Sequence, residues 1–163
     1  MSASRRPAHR FDDRHIEWRP FPGYPGLSFW VLGVNEARQT VDLLFRLDPG
    51  CRCPAHRHVG PTKTLVIEGE HRTWARTTHG WELDQIRPPG TFASNDGDHL
   101  HSEQGGPEGT IVLLSMTAVN GVIWELLDER GGVDAVATVE DFRHAYERQT
   151  PVPVSSGITA GVH

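Results

Sequence analysis

The chain is poor in cysteine and in long apolar runs. Its two cysteines among 163 residues, Cys51 and Cys53, stand one residue apart, a spacing that closes almost no loop and strains disulfide geometry. They read as reduced thiols, in keeping with a cytoplasmic location. No stretch approaches the roughly 20 consecutive apolar residues of a membrane helix, and Arg5, Arg6 and Arg10 in "MSASRRPAHR" are not followed by the apolar core of a signal peptide. A soluble intracellular protein with a loose N-terminal tail is expected, and no membrane partner. A Gly-rich phosphate loop, a GxSxG elbow, an HExxH helix and internal repeats are also missing, which removes the nucleotide-binding, serine-hydrolase and zincin readings. Sixteen basic against 21 acidic residues leave no positive stripe, so nucleic acid is not an expected partner.

What is present is punctuation. Seventeen glycines and 12 prolines fall between short segments rich in Val, Ile, Leu, Phe, Trp and Thr, the mark of an all-β chain. Strands are expected at 27–34, 40–47, 54–58, 62–69, 71–76, 80–86, 90–94, 99–103, 109–119 and 121–128, several joined by turns of two to five residues. The short turns favour an antiparallel sandwich or barrel. One helix is expected over 138–149, capped by Thr138 with Asp141 three residues on, its apolar face formed by Val139, Phe142 and Tyr146. Residues 1–25 then form an N-terminal arm whose "FPGYPG" drapes over the barrel, 26–149 a single domain, and 150–163 a flexible tail. A chain of this length buries roughly two-thirds of its unfolded surface, so no metal is needed merely to fold it.

Ten histidines raise the question of which converge. His56 and His58 lie two apart on an expected strand and share a face, so they can chelate one metal ion if further ligands come from elsewhere. Solvated decoration of a surface strand is the plainer alternative. Cys51 and Cys53 supply ligand types for a zinc site with the same histidines, but zinc fingers use wider loops between ligand pairs. His71 and His79 are expected at the surface of a hairpin, and His144 on the solvated face of the helix. Trp30, Trp74, Trp81 and Trp124 are core or pocket candidates, with Trp74 the best placed to touch a substrate. Arg72 and Arg76 share its parity. Glu68 and Glu103 are candidates to orient ligand imidazoles by accepting an N–H bond.

The segment "DPGCRCPAHRHVGPTKTLVIEGE" resembles the first conserved segment of the cupin superfamily, with Gly50, His56, His58 and Gly69 in register and Thr62 at the position usually acidic. "PPGTFASNDGDHLHSE" resembles the second. Counting from Gly90 and Phe92 puts the final histidine ligand on His101, with His99 as the fallback. Together with "HRHVGP", "LVIEGE", the Trp74 hairpin and "GVIWELLDERGG", these features resemble the small single-domain cupins related to 2,4'-dihydroxyacetophenone dioxygenase and acetylacetone-cleaving dioxygenase, over residues 26–148. The resemblance implies a cupin barrel (double-stranded β-helix or jelly roll) with one short C-terminal helix. It also implies Fe(II) held by His56, His58 and His101 without a carboxylate.

Three neutral imidazoles leave a six-coordinate ion up to three open positions for O2 and a chelating carbonyl substrate, and a C–C bond beside the carbonyl would be cleaved. Thr62, Trp74, Asn95 and His99 would surround the ion or the substrate. Asn95 stands where such relatives carry Glu, which questions cleavage of the same diketone. Two alternatives remain: a non-redox cyclase, isomerase or lyase using Zn, Ni or Mn, and a non-catalytic sensor of a ligand or metal. A homodimer formed through the edge of "LSFWVLGV" is expected from the same resemblance.

Overall fold

Alternation decides which face of each strand is buried. In β3 (Thr40–Leu47), Val41, Leu43, Phe45 and Leu47 point one way and are nearly sealed from solvent. They meet Val112, Leu114 and Met116 of β8 (His99–Thr117) and Val66 of β5 (Thr62–Thr77) in one core. The computed structural model describes residues 10–151; Arg5, Arg6 and most of the expected tail lie outside them. The remaining strands are β1 (Arg19–Pro20), β2 (Leu27–Asn35), β4 (His56–His58), β6 (Gly80–Arg87), β7 (Phe92–Asn95), β9 (Val122–Leu127) and β10 (Val133–Thr138), followed by α1 (Val139–Glu147). They run antiparallel in the order β1-β2-β3-β8-β4-β9-β10, while β5 pairs with β6, β7 and β8. The all-β expectation holds, and the sheet curls into a half-barrel.

Two long strands do the curling. The sequence reads as separate strands at 62–69 and 71–76, and at 99–103 and 109–119, yet β5 and β8 each run through without a break. The glycines inside them mark bends. Gly69 has φ +73° and Gly109 φ +80°, and a Cβ on Gly69 would lie 2.1 Å from the carbonyl oxygen of Gly109. Pairing of β5 with β8 slips at Val66/Glu68 and again at Gly69/His71. Irregularities of this kind bend and twist a pair without ending it. β8 thereby serves two sheets, pairing with β3 through residues 110–117 and with β4 through residues 99–101.

The N-terminal segment takes part in the sheet. Arg19 and Pro20 pair with Phe29 and Ser28, and the Phe21 ring sits within 6.2 Å of the rings of Tyr24, Phe29, Phe45 and Trp124. Further out, the Phe11 N–H donates to the Glu68 carboxylate at 2.9 Å. The helix forms as its cap dictates: the Thr138 hydroxyl accepts from the Asp141 N–H, and the Asp141 carboxylate accepts from the Thr138 N–H. Its buried face is Val139, Phe142 and Ala145; Tyr146, expected inside, is 47% exposed. β10 was not expected at all, because its side chains are mostly exposed and carry little alternation.

The edge of β2 is partly occupied within the chain. The Gln149 side-chain amide accepts from the Val31 N–H and donates to its carbonyl, both at 2.8 Å. The backbone groups that an incoming strand would use at Val31 are therefore taken. No helix of the described residues is long and apolar enough to cross a membrane.

Candidate metal centre

β4 is only three residues long, and it lies between β8 and β9. Its register places His56 opposite His101 and His58 opposite His99. Cross-strand partners share a face, so two His-x-His motifs look into the same part of the barrel. The Nε2 atoms of His56 and His58 are 3.2 Å apart, and those of His56 and His101 3.0 Å. Glu103, two residues beyond His101 on the same face, brings Oε2 to 3.4 Å from His56 Nε2 and 4.0 Å from His101 Nε2. One donor atom from each of the four residues falls within 4.8 Å of all the others. All four side chains are buried.

The outer nitrogens show which way the lone pairs face. His56 Nδ1 donates to the Pro54 carbonyl at 3.0 Å. Thr62 gives its hydroxyl proton to the Gly60 carbonyl, so it accepts from His58 Nδ1 at 3.2 Å. Both Nε2 lone pairs then point at each other across 3.2 Å, which is repulsive unless a positive charge lies between them. A divalent ion about 2.1 Å from each nitrogen gives N···N edges of roughly 3.0–3.4 Å, so the spacing fits one.

The titration directions carry the same demand. Burial, the largest influence on His56, pushes its pKa down, but Cys53 and Glu103 overcome this and raise it well above 6.5. Burial and the neighbouring His56 hold His58 down to about 3. His101 also lies well below its usual value, again chiefly through burial. Burial pushes Glu103 up, yet His101, His56 and His71 outweigh it and keep the carboxylate ionised. The cluster is thus suited to a single centre of positive charge.

Comparison with known proteins agrees with this architecture. The family model of the ChrR cupin-like domain matches residues 7–120. The chain belongs to that family. This cupin is also similar in fold to an RmlC-like cupin from Ralstonia eutropha (17% identity, 80% of this chain and 78% of the other, TM-score 0.67). An acetylacetone dioxygenase from Acinetobacter johnsonii is similar at 15% identity over 90% of this chain and 95% of the other, with a TM-score of 0.66. A putative acetylacetone dioxygenase from Methylibium petroleiphilum is similar at 19% identity, over 90% and 99%, with a TM-score of 0.65. No curated protein is significantly similar to the chain in sequence.

The other residues singled out in the sequence fall around this cupin's cluster or away from it. Thr62 is buried and touches His58, as described. Asn95 is its cross-strand partner on β7, but its side-chain oxygen accepts the Gly97 N–H at 3.1 Å and so closes a turn. His99 is half-buried, with its ring centroid 4.6 Å from that of His101. Burial and the charge of Arg87 hold its pKa below the usual value. Trp74 is not brought to the cluster. It pairs with Ser102, which has the opposite parity to His101 and Glu103; its indole N–H donates to Gln104, and Arg52 lies 4.3 Å over its ring. Arg72 pairs with Glu70.

The cysteines form no disulfide. Cys53 Sγ accepts the Glu103 N–H at 3.1 Å and sits 3.6 Å from His56 Nδ1, while Cys51 contacts the Pro25 carbonyl. His71 corrects an expectation. It is fully buried, not superficial, and its Nε2 bonds Glu103 Oε1 at 2.8 Å. Reading Gly69 as the end of a strand put His71 in a solvated hairpin; β5 instead continues, and the register shifts around Gly69 move its inward face from Thr62, Thr64 and Val66 to His71 and Thr73. The parity of Glu103 with His101 was the signal for its place in the cluster.

Beside His56 and Glu103 lies a small, mostly apolar space of about 20 Å³, bordered by Phe21, Phe45, Leu114 and Trp124. That is room for about one water.

Proposed function

We propose that this cupin is a metal-dependent enzyme that uses Fe(II) and O2 to cleave a C–C bond beside a carbonyl in a small β-diketone or hydroxyacetophenone-like substrate. The observation that carries the metal reading is the convergence of two imidazole lone pairs 3.2 Å apart, with His101 and Glu103 completing the donor set. In this reading His56, His58 and His101 hold the ion. Thr62 and the Pro54 carbonyl keep the first two rings in the tautomer that presents Nε2. Bound iron would supply a place where a chelating carbonyl compound and O2 meet. The rings of Phe21 and Trp124 pack on the core side of the cluster, and the half-buried His99 flanks it beside His101. The full-length similarity to acetylacetone dioxygenases supports the substrate class.

A second reading has its own observation. Four buried donors with room for about one water beside them also suit a closed zinc site in a non-catalytic sensor. A Lewis-acid enzyme using Zn, Ni or Mn lies between the two.

Metal analysis and oxygen uptake separate them. Protein reconstituted anaerobically with Fe(II) should consume O2 on addition of pentane-2,4-dione or 2,4'-dihydroxyacetophenone, and His101→Ala should bind less iron and lose the uptake. Tight zinc binding together with an iron form that consumes no O2 with any such compound would move the assignment to the sensor.

A further inference from the structure

We propose that His71 is a positioning residue that holds Glu103 to one oxygen toward the cluster and thereby sets how many positions a bound cation keeps open. The inference rests on the reading that a divalent cation occupies the cluster.

The geometry is asymmetric at the carboxylate. Oε1 is held by His71 Nε2 at 2.8 Å, whereas Oε2 is the oxygen 3.4 Å from His56 Nε2 and 4.0 Å from His101 Nε2. His71 is fully buried, and its Nδ1 has no partner among the described residues. Its one hydrogen bond is therefore spent on Glu103. The backbone is clamped as well, since the Glu103 N–H donates to Cys53 Sγ at 3.1 Å. The pairing explains how the ring reaches: His71 stands opposite Gly105, and Glu103 opposite Thr73, so the two are diagonal neighbours.

A carboxylate bound through both oxygens occupies two positions of a six-coordinate ion, and one bound through a single oxygen occupies one. With three imidazoles, the first case leaves one open position and the second leaves two. By keeping Oε1, His71 preserves the second.

Co(II) titration of the metal-free protein tests this, with affinity taken from zinc competition and coordination from the visible spectrum. Wild type should bind one Co(II). His71→Leu should change the visible bands and shift affinity by about 10–100-fold, and His71→Gln, which retains an N–H donor, should restore both to near wild type. In a Glu103→Gln background, His71→Leu should add nothing. A His71→Leu protein with wild-type spectrum and affinity, or one whose effect persists undiminished in the Glu103→Gln background, overturns the proposal. Should His71→Leu fail to fold, 15N-histidine NMR of wild type decides: His71 should carry its proton on Nε2 before and after zinc, and a proton on Nδ1 in either state overturns the inference. Wild type that binds no Co(II) defeats the cation reading itself, a result distinct from a wild type that binds normally and a His71→Leu that is unchanged.

Discussion

At the scale of single residues, the centre is governed by what each imidazole does with its second nitrogen. His56 and His58 are oriented by the Pro54 carbonyl and the Thr62 hydroxyl, so a threonine, which makes a poor ligand, acts as an orienting acceptor. The buried rings also set a pH dependence. His58 titrates at about 3 in the fold against 6.5 in an unfolded chain. Between these values only the unfolded chain is protonated there, and each unit of acidification costs ~1.4 kcal/mol. His101 acts in the same direction. His56, raised instead, contributes stability that is complete below 6.5 and fades as pH climbs through its folded value. Metal-free protein should therefore be most stable near pH 6.5 and lose stability toward pH 4.5, with His58→Gln flattening the acid limb. Urea unfolding at pH 7.5, 6.5, 5.5 and 4.5 checks this, and an acid limb that is flat in wild type contradicts it.

At the scale of elements, the bends in β5 and β8 bring the donors together. β8 reaches β4 with His101 and Glu103 facing inward because it turns between its two sheets near Gly105 and Gly109. Gly69 is the matching bend in β5, and it allows His71 to face inward. Gly69→Ala combines a positive φ with a Cβ 2.1 Å from a backbone oxygen. It should cost roughly 3 kcal/mol or more, seen as a lower Tm and weaker cation binding together. A Tm within a degree or two of wild type would show that the two strands can separate there at little cost.

At the scale of the molecule, one end of the half-barrel is closed by rings from distant parts of the chain. Phe21 joins Phe45 of β3 and Trp124 of β9, and Trp124 in turn lies 6.0 Å from the His58 ring centroid. The N-terminal segment is therefore mechanically connected to the candidate centre. Phe21→Ala should destabilise the protein by about 2–4 kcal/mol and enlarge the 20 Å³ space beside His56. Denaturant unfolding measures the first, and uptake of a small apolar probe such as xenon the second. Unchanged stability would mean that the segment merely rests on the barrel.

Most strand segments, the hairpins, the helix cap and the pairing of His56 with His58 were legible in the sequence because each depends on contacts between neighbours in the chain: alternation, turn residues and a capping box. His101 was reached by counting along a recognised pattern, with His99 left as its rival. Tertiary structure alone decided between them as partners of His56, because the choice depends on where β8 bends relative to β4. It alone brought in His71, whose inward face depends on β5 passing through Gly69, and it alone removed Trp74, whose parity opposes that of Glu103. Local patterns report which face a side chain shares with its neighbours, and only the register between strands reports what that face meets.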